Sequence, residues 1–231
     1  MHERPDEAAD AGPPALRLPF DVAALDHRPV RTERMVLRPL RESDADDVWE
    51  YQRLPEVLRY IPWPERDRDQ AREHTALRAG MRRLTADGDA MFLAMVLTGE
   101  PSTTDAAAGR RRPDRVIGDV MLRVASTAGA RLEIGWVAHP DFQGRGLAAE
   151  AAAATLDLAF GRLVAHRVEA RLDPRNAASA RLCERLGMRL EGTLAENVWD
   201  DGEWQDSAVY GMLRRDWRAL RAAQPRQEPR R

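Results

Sequence analysis

The segment Val137–Ala148 places two glycines, one residue apart, immediately before a helix. Apolar and polar residues alternate in the preceding stretch 131–137, which predicts a strand, and apolar residues recur at helical spacing over 147–163. Gly144 and Gly146 lack a Cβ, so the backbone can take positive φ and approach a ligand closely. The free N–H groups of the helix's first turn then face outward at the positive end of its dipole. This arrangement is typical of a pyrophosphate site.

Two kinds of cofactor fit this turn, and a dinucleotide is the first of them. Gly144-x-Gly146-x-x-Ala149 satisfies the dinucleotide-binding fingerprint, and Asp173 lies near the distance expected for its acidic partner. That fingerprint, however, opens the first βαβ unit of a chain, and its first glycine follows the strand almost directly. Here six residues, including Pro140, intervene and several predicted elements come earlier. The turn alone therefore indicates a pyrophosphate but does not name the cofactor.

The remaining pattern predicts an α/β fold with an antiparallel hairpin near its end. In the second half, strand 167–172 and helix 176–186 precede a hairpin whose Asp201-Gly202 turn is flanked by apolar residues. The first half is expected to contain the following elements: strand 34–40, a helix capped near Ser43, an aromatic loop 58–64, helix 66–84, strand 90–98, loop 99–115 and strand 116–124.

The domain prediction follows from these elements. Residues 1–30 are rich in proline and are expected to form a partly disordered extension that docks, if anywhere, around 16–25. A single domain is predicted over 31–218, with a flexible loop insertion over 99–115. A polar tail over 219–231 completes the chain.

Composition excludes several classes of protein. The 231 residues carry a formal net charge of −2 and no apolar run of membrane-spanning length, which argues against nucleic-acid and membrane binders. The only cysteine, Cys183, rules out an intramolecular disulfide and fits a reducing cytoplasm. The chain contains no lysine, so a Walker A loop and Schiff-base chemistry are excluded. No Cys/His spacing predicts a metal site.

The turn and its surroundings resemble the GNAT (Gcn5-related) N-acetyltransferases. Gln143-x-x-Gly146-x-Ala148 is similar to their pyrophosphate turn, and Asn176-x-x-Ser179 leading to Leu186-Gly-Met188 is similar to their downstream helix. The resemblance extends to the branch with the ribosomal-protein N-terminal acetyltransferases. It rests there on a further set of segments: Leu37–Leu40 with Asp44, Tyr60–Trp63, His166–Arg171, Leu190–Thr193 and Asp201–Trp204.

The resemblance implies a mixed, mostly antiparallel central sheet flanked by helices, with a splayed parallel strand pair at the acyl-CoA site. It implies acetyl-CoA as co-substrate, no metal, and direct attack of an amine on the thioester. The residues expected to bind the cofactor are the backbone of Val137 and Ala138, the turn residues Gln143, Gly144, Arg145, Gly146, Leu147 and Ala148, and the side chains of Asn176 and Ser179.

Glu133 is the candidate general base, because it lies on the strand leading to the thioester, on the face opposite Leu132. An ion pair with Arg167 or Arg171 explains the same residue equally well. Ser179 is the candidate acid for the departing thiolate, with helix-cap chemistry as the alternative. Many family members carry a tyrosine acid where this chain has Cys183. Cys183 itself is interpreted as a small core residue, which leaves Ser179 or solvent as the acid.

By the same resemblance, Tyr60, Trp63 and Trp199 are expected to flank the acceptor. The hairpin around Trp199 is acidic, which suits a cationic amine or a peptide N-terminus, although a solvated hairpin explains its charges as well. The predicted partners are an amine acceptor and, at most, a second copy of the chain. A non-catalytic acyl-CoA-binding module remains a further alternative.

Overall fold

A computed structural model describes residues 15–98, 114–200 and 202–223. Its strands are β1 (Phe20–Asp21), β2 (Val30–Arg31), β3 (Val36–Pro39), β4 (Arg83–Leu84), β5 (Ala90–Thr98), β6 (Asp114–Ser126), β7 (Arg131–Ala138), β8 (Arg167–Leu172), β9 (Arg189–Asp200) and β10 (Glu203–Leu213). Its α-helices are α1 (Ala24–His27), α2 (Ala45–Gln52), α3 (Pro55–Leu58), α4 (Arg68–Gly80), α5 (Leu147–Asp157), α6 (Ala177–Leu186) and α7 (Arg214–Ala223).

Eight strands form the central sheet in the order β2-β3-β5-β6-β7-β8-β10-β9, and β1 pairs separately with β4. Neighbouring strands of the large sheet are antiparallel except β7 and β8, which are parallel. The predicted mixed, mostly antiparallel sheet flanked by helices is therefore confirmed. Its parallel pair consists of β7, which leads to the glycine turn, and β8, which follows helix α5.

The sheet separates two apolar clusters. Successive side chains of a strand point to opposite faces, so Ile134 and Val137 belong to different clusters. The larger cluster, with Ile134, packs the sheet against α5 and α6, and we call this side the cofactor face. The smaller cluster, with Val137, includes Val48 and Tyr51 of α2, and we call this side the acceptor face.

Several predicted boundaries differ from the structure. Helix 66–84 is shorter: the Asp67 carboxylate caps it at 2.9 Å from the backbone N–H groups of Asp69 and Gln70. It ends at Gly80, because Leu84 pairs instead with Phe20, a long-range contact that local periodicity does not show. The predicted loop 99–115 ends earlier, since β6 begins at Asp114.

The predicted helix 147–163 is α-helical as far as Asp157 and continues as a π-helical turn over 158–162. At the start of the chain, Val22 and Leu25 are buried in the larger cluster, so the part of 1–30 that is described packs on the domain. At the other end, Trp217 of α7 stacks on Phe160 with ring centroids 5.5 Å apart.

Some predicted features lie outside the described residues: 1–14, 99–113, Asp201 and 224–231. Among the helices that the structure describes, none combines the length and apolarity needed to cross a membrane.

Candidate active site

The parallel strands β7 and β8 diverge. Their register joins 131–133 to 167–169 and goes no further. Beyond Glu133, β7 remains paired with β6, while β8 remains paired with β10. The sheet is therefore open between Gly135–Ala138 and Ala170–Leu172, and this opening connects its two faces.

The backbone N–H of Ala138 points into the opening. The N–H of His139 bonds to the carbonyl oxygen of Ile117 on β6 at 2.8 Å. The carbonyl of Val137 also faces β6, lying against Gly118. Because the C=O and N–H of one trans peptide point in opposite directions, the N–H of Ala138 faces the opening. By strand alternation the N–H of Val137 faces β6, so of the two predicted backbone donors Ala138 has the suitable direction.

The glycine turn lies beside this opening. Gly144 and Gly146 have φ values of +71° and +77°, and Gly146 directly precedes α5. The space where a Cβ on Gly144 would lie is open for 4 Å. The Gln143 side chain donates from Nε2 to the carbonyl of Ala138 at 3.0 Å, which joins the turn to the end of β7. The first N–H groups of α5 have no acceptor within their own helix, a geometry that suits an anion.

Arg34 supports this turn, a role that the sequence pattern did not indicate. Its Nη1 donates to the carbonyl of Arg145 at 2.8 Å, and its Nε pairs with Glu150 of α5 at 2.6 Å. Partial burial raises the pKa of Glu150, but hydrogen bonds from Thr32 and Arg34 outweigh this and hold that pKa below its usual range. The two residues of this ion pair are 116 positions apart in the sequence, so the local sequence pattern does not predict the contact.

Helix α6 brings Asn176 and Ser179 to the same opening. The Asn176 side chain accepts from the backbone N–H of Ser179 at 3.0 Å, so the capping interaction is present. The Ser179 hydroxyl accepts from the indole N–H of Trp136 at 3.4 Å. Since the cap uses only the backbone of Ser179, its hydroxyl retains its own proton for donation.

A cleft of about 240 Å³ occupies the opening. Its lining includes six of the predicted site residues: Tyr60, Trp63, Glu133, Val137, Asn176 and Ser179. It also includes Phe92, Asp119, Met121 and Arg171. Trp199 is not part of the lining; it is 58% exposed and packs edge-on against Trp204 across the hairpin, with ring centroids 5.3 Å apart.

Glu133 lies in the cleft as an ion-paired carboxylate. Its partner is Arg123, which faces it directly across β6 and β7. The two arginines expected as alternative partners, Arg167 and Arg171, both pair instead with Glu169, at 3.4 and 3.1 Å. Among the residues that the structure describes, Glu133 pairs with Arg123, and it also lines the cleft.

Asp119 is the carboxylate that sequence reasoning missed. It accepts a hydrogen bond from the Tyr51 hydroxyl at 2.6 Å and forms an ion pair with Arg78. The three side chains come from α2, α4 and β6. Their signal in the sequence is an acidic residue within a mostly apolar strand, which by itself does not identify a site.

The remaining candidate groups are accounted for by burial. Cys183 is fully buried, and burial raises the pKa of its thiol to about 12, so it stays protonated near neutral pH. Burial likewise lowers the pKa of His139, whose Nδ1 accepts from the backbone N–H of Asp141 at 3.2 Å. Within 15–98, 114–200 and 202–223, no group of three or more His, Cys, Asp or Glu could hold a metal ion.

An open parallel strand pair beside a helix N-terminus suits a cofactor that places a pyrophosphate on the turn and its reactive group in the opening. Comparison with known proteins agrees. Residues 34–189 match the model of the acetyltransferase (GNAT) domain. The chain is 28% identical over 188 residues to an uncharacterized N-acetyltransferase, YnaD, of Bacillus subtilis, covering 81% of this chain and 98% of the relative.

Two further proteins extend the comparison. A stretch of 84 residues is 31% identical to the [ribosomal protein uS5]-alanine N-acetyltransferase of Escherichia coli, covering 36% of this chain and 43% of that enzyme. The crystal structure of a GNAT-family acetyltransferase from Bacillus anthracis superimposes with a TM-score of 0.67 at 27% identity, covering 80% of this chain and 98% of that one. The chain belongs to the GNAT family, and it is an acyl-CoA-dependent acetyltransferase.

Proposed function

We propose that this enzyme transfers the acetyl group of acetyl-CoA to a primary amine, either the N-terminus of a protein or peptide or a small amine. The observation that carries the proposal is the opening between β7 and β8. It gives a thioester on the cofactor face access to an amine on the acceptor face. The cleft contains a carboxylate, Glu133, and a hydroxyl, Ser179, on its two sides.

The cofactor would be held by backbone groups. The N–H groups from Gly144 to Ala148 would receive the pyrophosphate, assisted by the positive end of the α5 dipole. Leu147 lies at the start of α5 and is buried, which anchors the turn in the core. Gln143 and Arg145 flank the turn at the surface, and Asn176 is positioned to bond the pantetheine arm from the rim of the cleft.

The chemistry would proceed by direct attack. The ammonium form of the amine loses a proton to Glu133, directly or through water, and Glu133 passes it to solvent. The neutral nitrogen then forms a bond to the acetyl carbonyl carbon and loses its second proton by the same route. The N–H of Ala138 stabilises the oxyanion, since it points into the opening. The carbon–sulfur bond then breaks, and Ser179 donates a proton to the thiolate and regains one from solvent.

The acceptor proposal rests on the acceptor face. Tyr60 and Trp63 line the cleft there, and aromatic walls suit an aliphatic or peptide group beside the amine. The Escherichia coli relative is named for N-acetylation of an alanine of ribosomal protein uS5, which supports including protein acceptors. Since acetyl-CoA is a cytoplasmic metabolite, we infer that the enzyme works in the cytoplasm.

Release of coenzyme A thiol from acetyl-CoA, measured across a panel of small amines and peptides, tests this proposal. We expect turnover with at least one primary amine and none with the matching alcohols. Saturable acetyl-CoA binding without thiol release across the panel would instead favour a non-catalytic acyl-CoA-binding module. Thermal stabilisation by NAD(P) but not by acetyl-CoA would contradict the cofactor assignment and favour a dinucleotide-binding enzyme.

A further inference from the structure

A buried polar cluster lies on the acceptor face, formed by Tyr51, Arg78 and Asp119. Their exposed fractions are 0%, 3% and 2%. One Asp119 oxygen accepts from the Tyr51 hydroxyl at 2.6 Å, and the other pairs with Arg78. Burying this much charge costs several kcal/mol per ion before pairing recovers it. Such an arrangement calls for a physical reason at this position.

The cluster reaches the cleft through Asp119. This residue faces Val137 directly across β6 and β7, beside the peptide whose N–H points into the opening. The Arg78 guanidinium lies behind it, with its carbon 4.4 Å from the centre of the Phe92 ring and 5.6 Å from that of Trp63. Phe92 and Trp63 line the cleft as well. The carboxylate is therefore held in the wall of the cleft, opposite Val137.

The cluster is incompletely satisfied. A carboxylate offers about four acceptor sites, of which Tyr51 and Arg78 occupy one each. Arg78 also has two buried nitrogens, Nε and Nη1, without a hydrogen-bond partner among the residues the structure describes. A cluster that served only to join α2 and α4 to the sheet would be expected to satisfy its own groups. Asp119 is the member of the cluster that lines the cleft, and its carboxylate retains acceptor sites beyond these two.

Tyr51 donates a hydrogen bond to this carboxylate. Burial, followed by the charge of Asp119, raises the pKa of the Tyr51 phenol well above its ordinary value. The hydroxyl therefore remains protonated and donates to Asp119 over the whole working pH range. With Arg78 on the other oxygen, the carboxylate is fixed in place.

We propose that Asp119, held by Tyr51 and Arg78, binds the ammonium group of the acceptor before it is deprotonated. The inference rests on the proposed function and narrows it: the acceptor enters as a cation, and neutral nucleophiles lose this contact. Glu133, which lines the same cleft, then receives the proton through water. Asp119 is a substrate-binding residue in this scheme, and Tyr51 and Arg78 position it.

The experiment compares Asp119→Asn with Asp44→Asn. Asp44 is a matched control, because it is equally buried at 2% exposure and pairs with Arg38 at 2.7 Å without lining the cleft. We expect Asp119→Asn to raise the amine KM by about tenfold or more, with the acetyl-CoA KM changed less than about twofold. Asp44→Asn should lower thermal stability to a similar extent and leave both KM values unchanged. An unchanged amine KM in Asp119→Asn would overturn the inference, as would a fall in kcat alone.

Two further measurements keep the test decisive if Asp119→Asn does not fold. Tyr51→Phe retains the ion pair and removes one donor, and we expect it to raise the amine KM by about threefold. On the wild-type enzyme, a trimethylammonium analogue of the acceptor should inhibit competitively at least about tenfold better than its neutral tert-butyl isostere. Equal inhibition would overturn the inference while thiol release by the wild type still upheld the proposed function. Absence of any thiol release would overturn both.

Discussion

The two faces of the sheet build their halves of the site in different ways. On the cofactor face, the glycine turn and the first turns of α5 and α6 supply mostly backbone groups. On the acceptor face, side chains from α2, α4 and β6 converge on a buried cluster, with Tyr51 and Asp119 separated by 68 residues. A pyrophosphate needs only correctly directed N–H groups, whereas recognition of an amine needs placed charges. The first face is thus built by short segments and the second by tertiary packing.

This difference explains what the sequence could predict. Turns and helix caps can be predicted from the sequence because their geometry depends on neighbouring residues. This applies to Gly144, Gly146, Asn176 and Ser179. The divergence of β7 and β8 was expected only from family resemblance, because strand pairing is set by the whole sheet. Asp119 could not be found in this way, since its partners come from two helices that local periodicity does not relate to it. The Arg34 contact with the turn escaped prediction for the same reason.

The largest effect is expected on the acceptor face, from Glu133→Gln. Removing the proton acceptor should lower kcat by about 100-fold or more, while the acetyl-CoA KM stays near its wild-type value. Steady-state kinetics across the pH range would measure this. Glu191→Gln is the control, because Glu191 also pairs with an arginine, Arg167, at 2.6 Å but lies outside the cleft. Wild-type turnover by Glu133→Gln at every pH would remove Glu133 from the mechanism.

Gly146→Val should damage the cofactor face alone. A left-handed backbone costs an L-residue about 1–2 kcal/mol, and the branched side chain would stand before the N–H groups of α5. We expect the acetyl-CoA KM to rise by roughly tenfold to 100-fold with the amine KM unchanged.

Gly88→Val separates strain from binding in that experiment. Gly88 has φ of +90° in a turn outside the cleft, so this variant should lose stability and keep both KM values. If the two variants affected acetyl-CoA binding equally, the turn would not be the pyrophosphate site.

Ser179→Ala tests the leaving-group acid with a smaller expected effect. The helix cap uses the backbone N–H of Ser179, so thermal stability should be retained, while kcat should fall by about tenfold. Asn176→Ala removes the cap itself and should cost about 1 kcal/mol of stability. Wild-type kcat in Ser179→Ala would assign the proton to solvent.

The smallest effect is expected on stability, at His74, which supports Trp63 in the wall of the cleft. His74 packs edge-on against Trp63, with ring centroids 5.7 Å apart, and burial followed by Arg66 and Arg78 lowers its pKa to about 4. Below about pH 6.5 the unfolded chain binds a proton at this position that the folded chain does not, so stability should fall as the pH drops from about 6.5 toward 4. Because His74 is only half-buried, we expect a contribution of about 1 kcal/mol or less.

Denaturant unfolding of the wild type and of His74→Gln between about pH 7.5 and pH 4.5 would measure this contribution. The variant should lose less stability on acidification than the wild type. Parallel losses in the two proteins would show that His74 does not couple the acceptor wall to pH.

The central claim is that the opening between β7 and β8 joins a cofactor face to an acceptor face. A crystal structure of the enzyme with coenzyme A and an N-acetylated product tests it most directly. The claim predicts the pyrophosphate on the N–H groups from Gly144 to Ala148, and the acetyl oxygen within hydrogen-bond distance of the Ala138 N–H. It predicts the product's nitrogen on the side of Glu133 and Asp119. A coenzyme bound away from the turn, or both molecules on one face of the sheet, would contradict it.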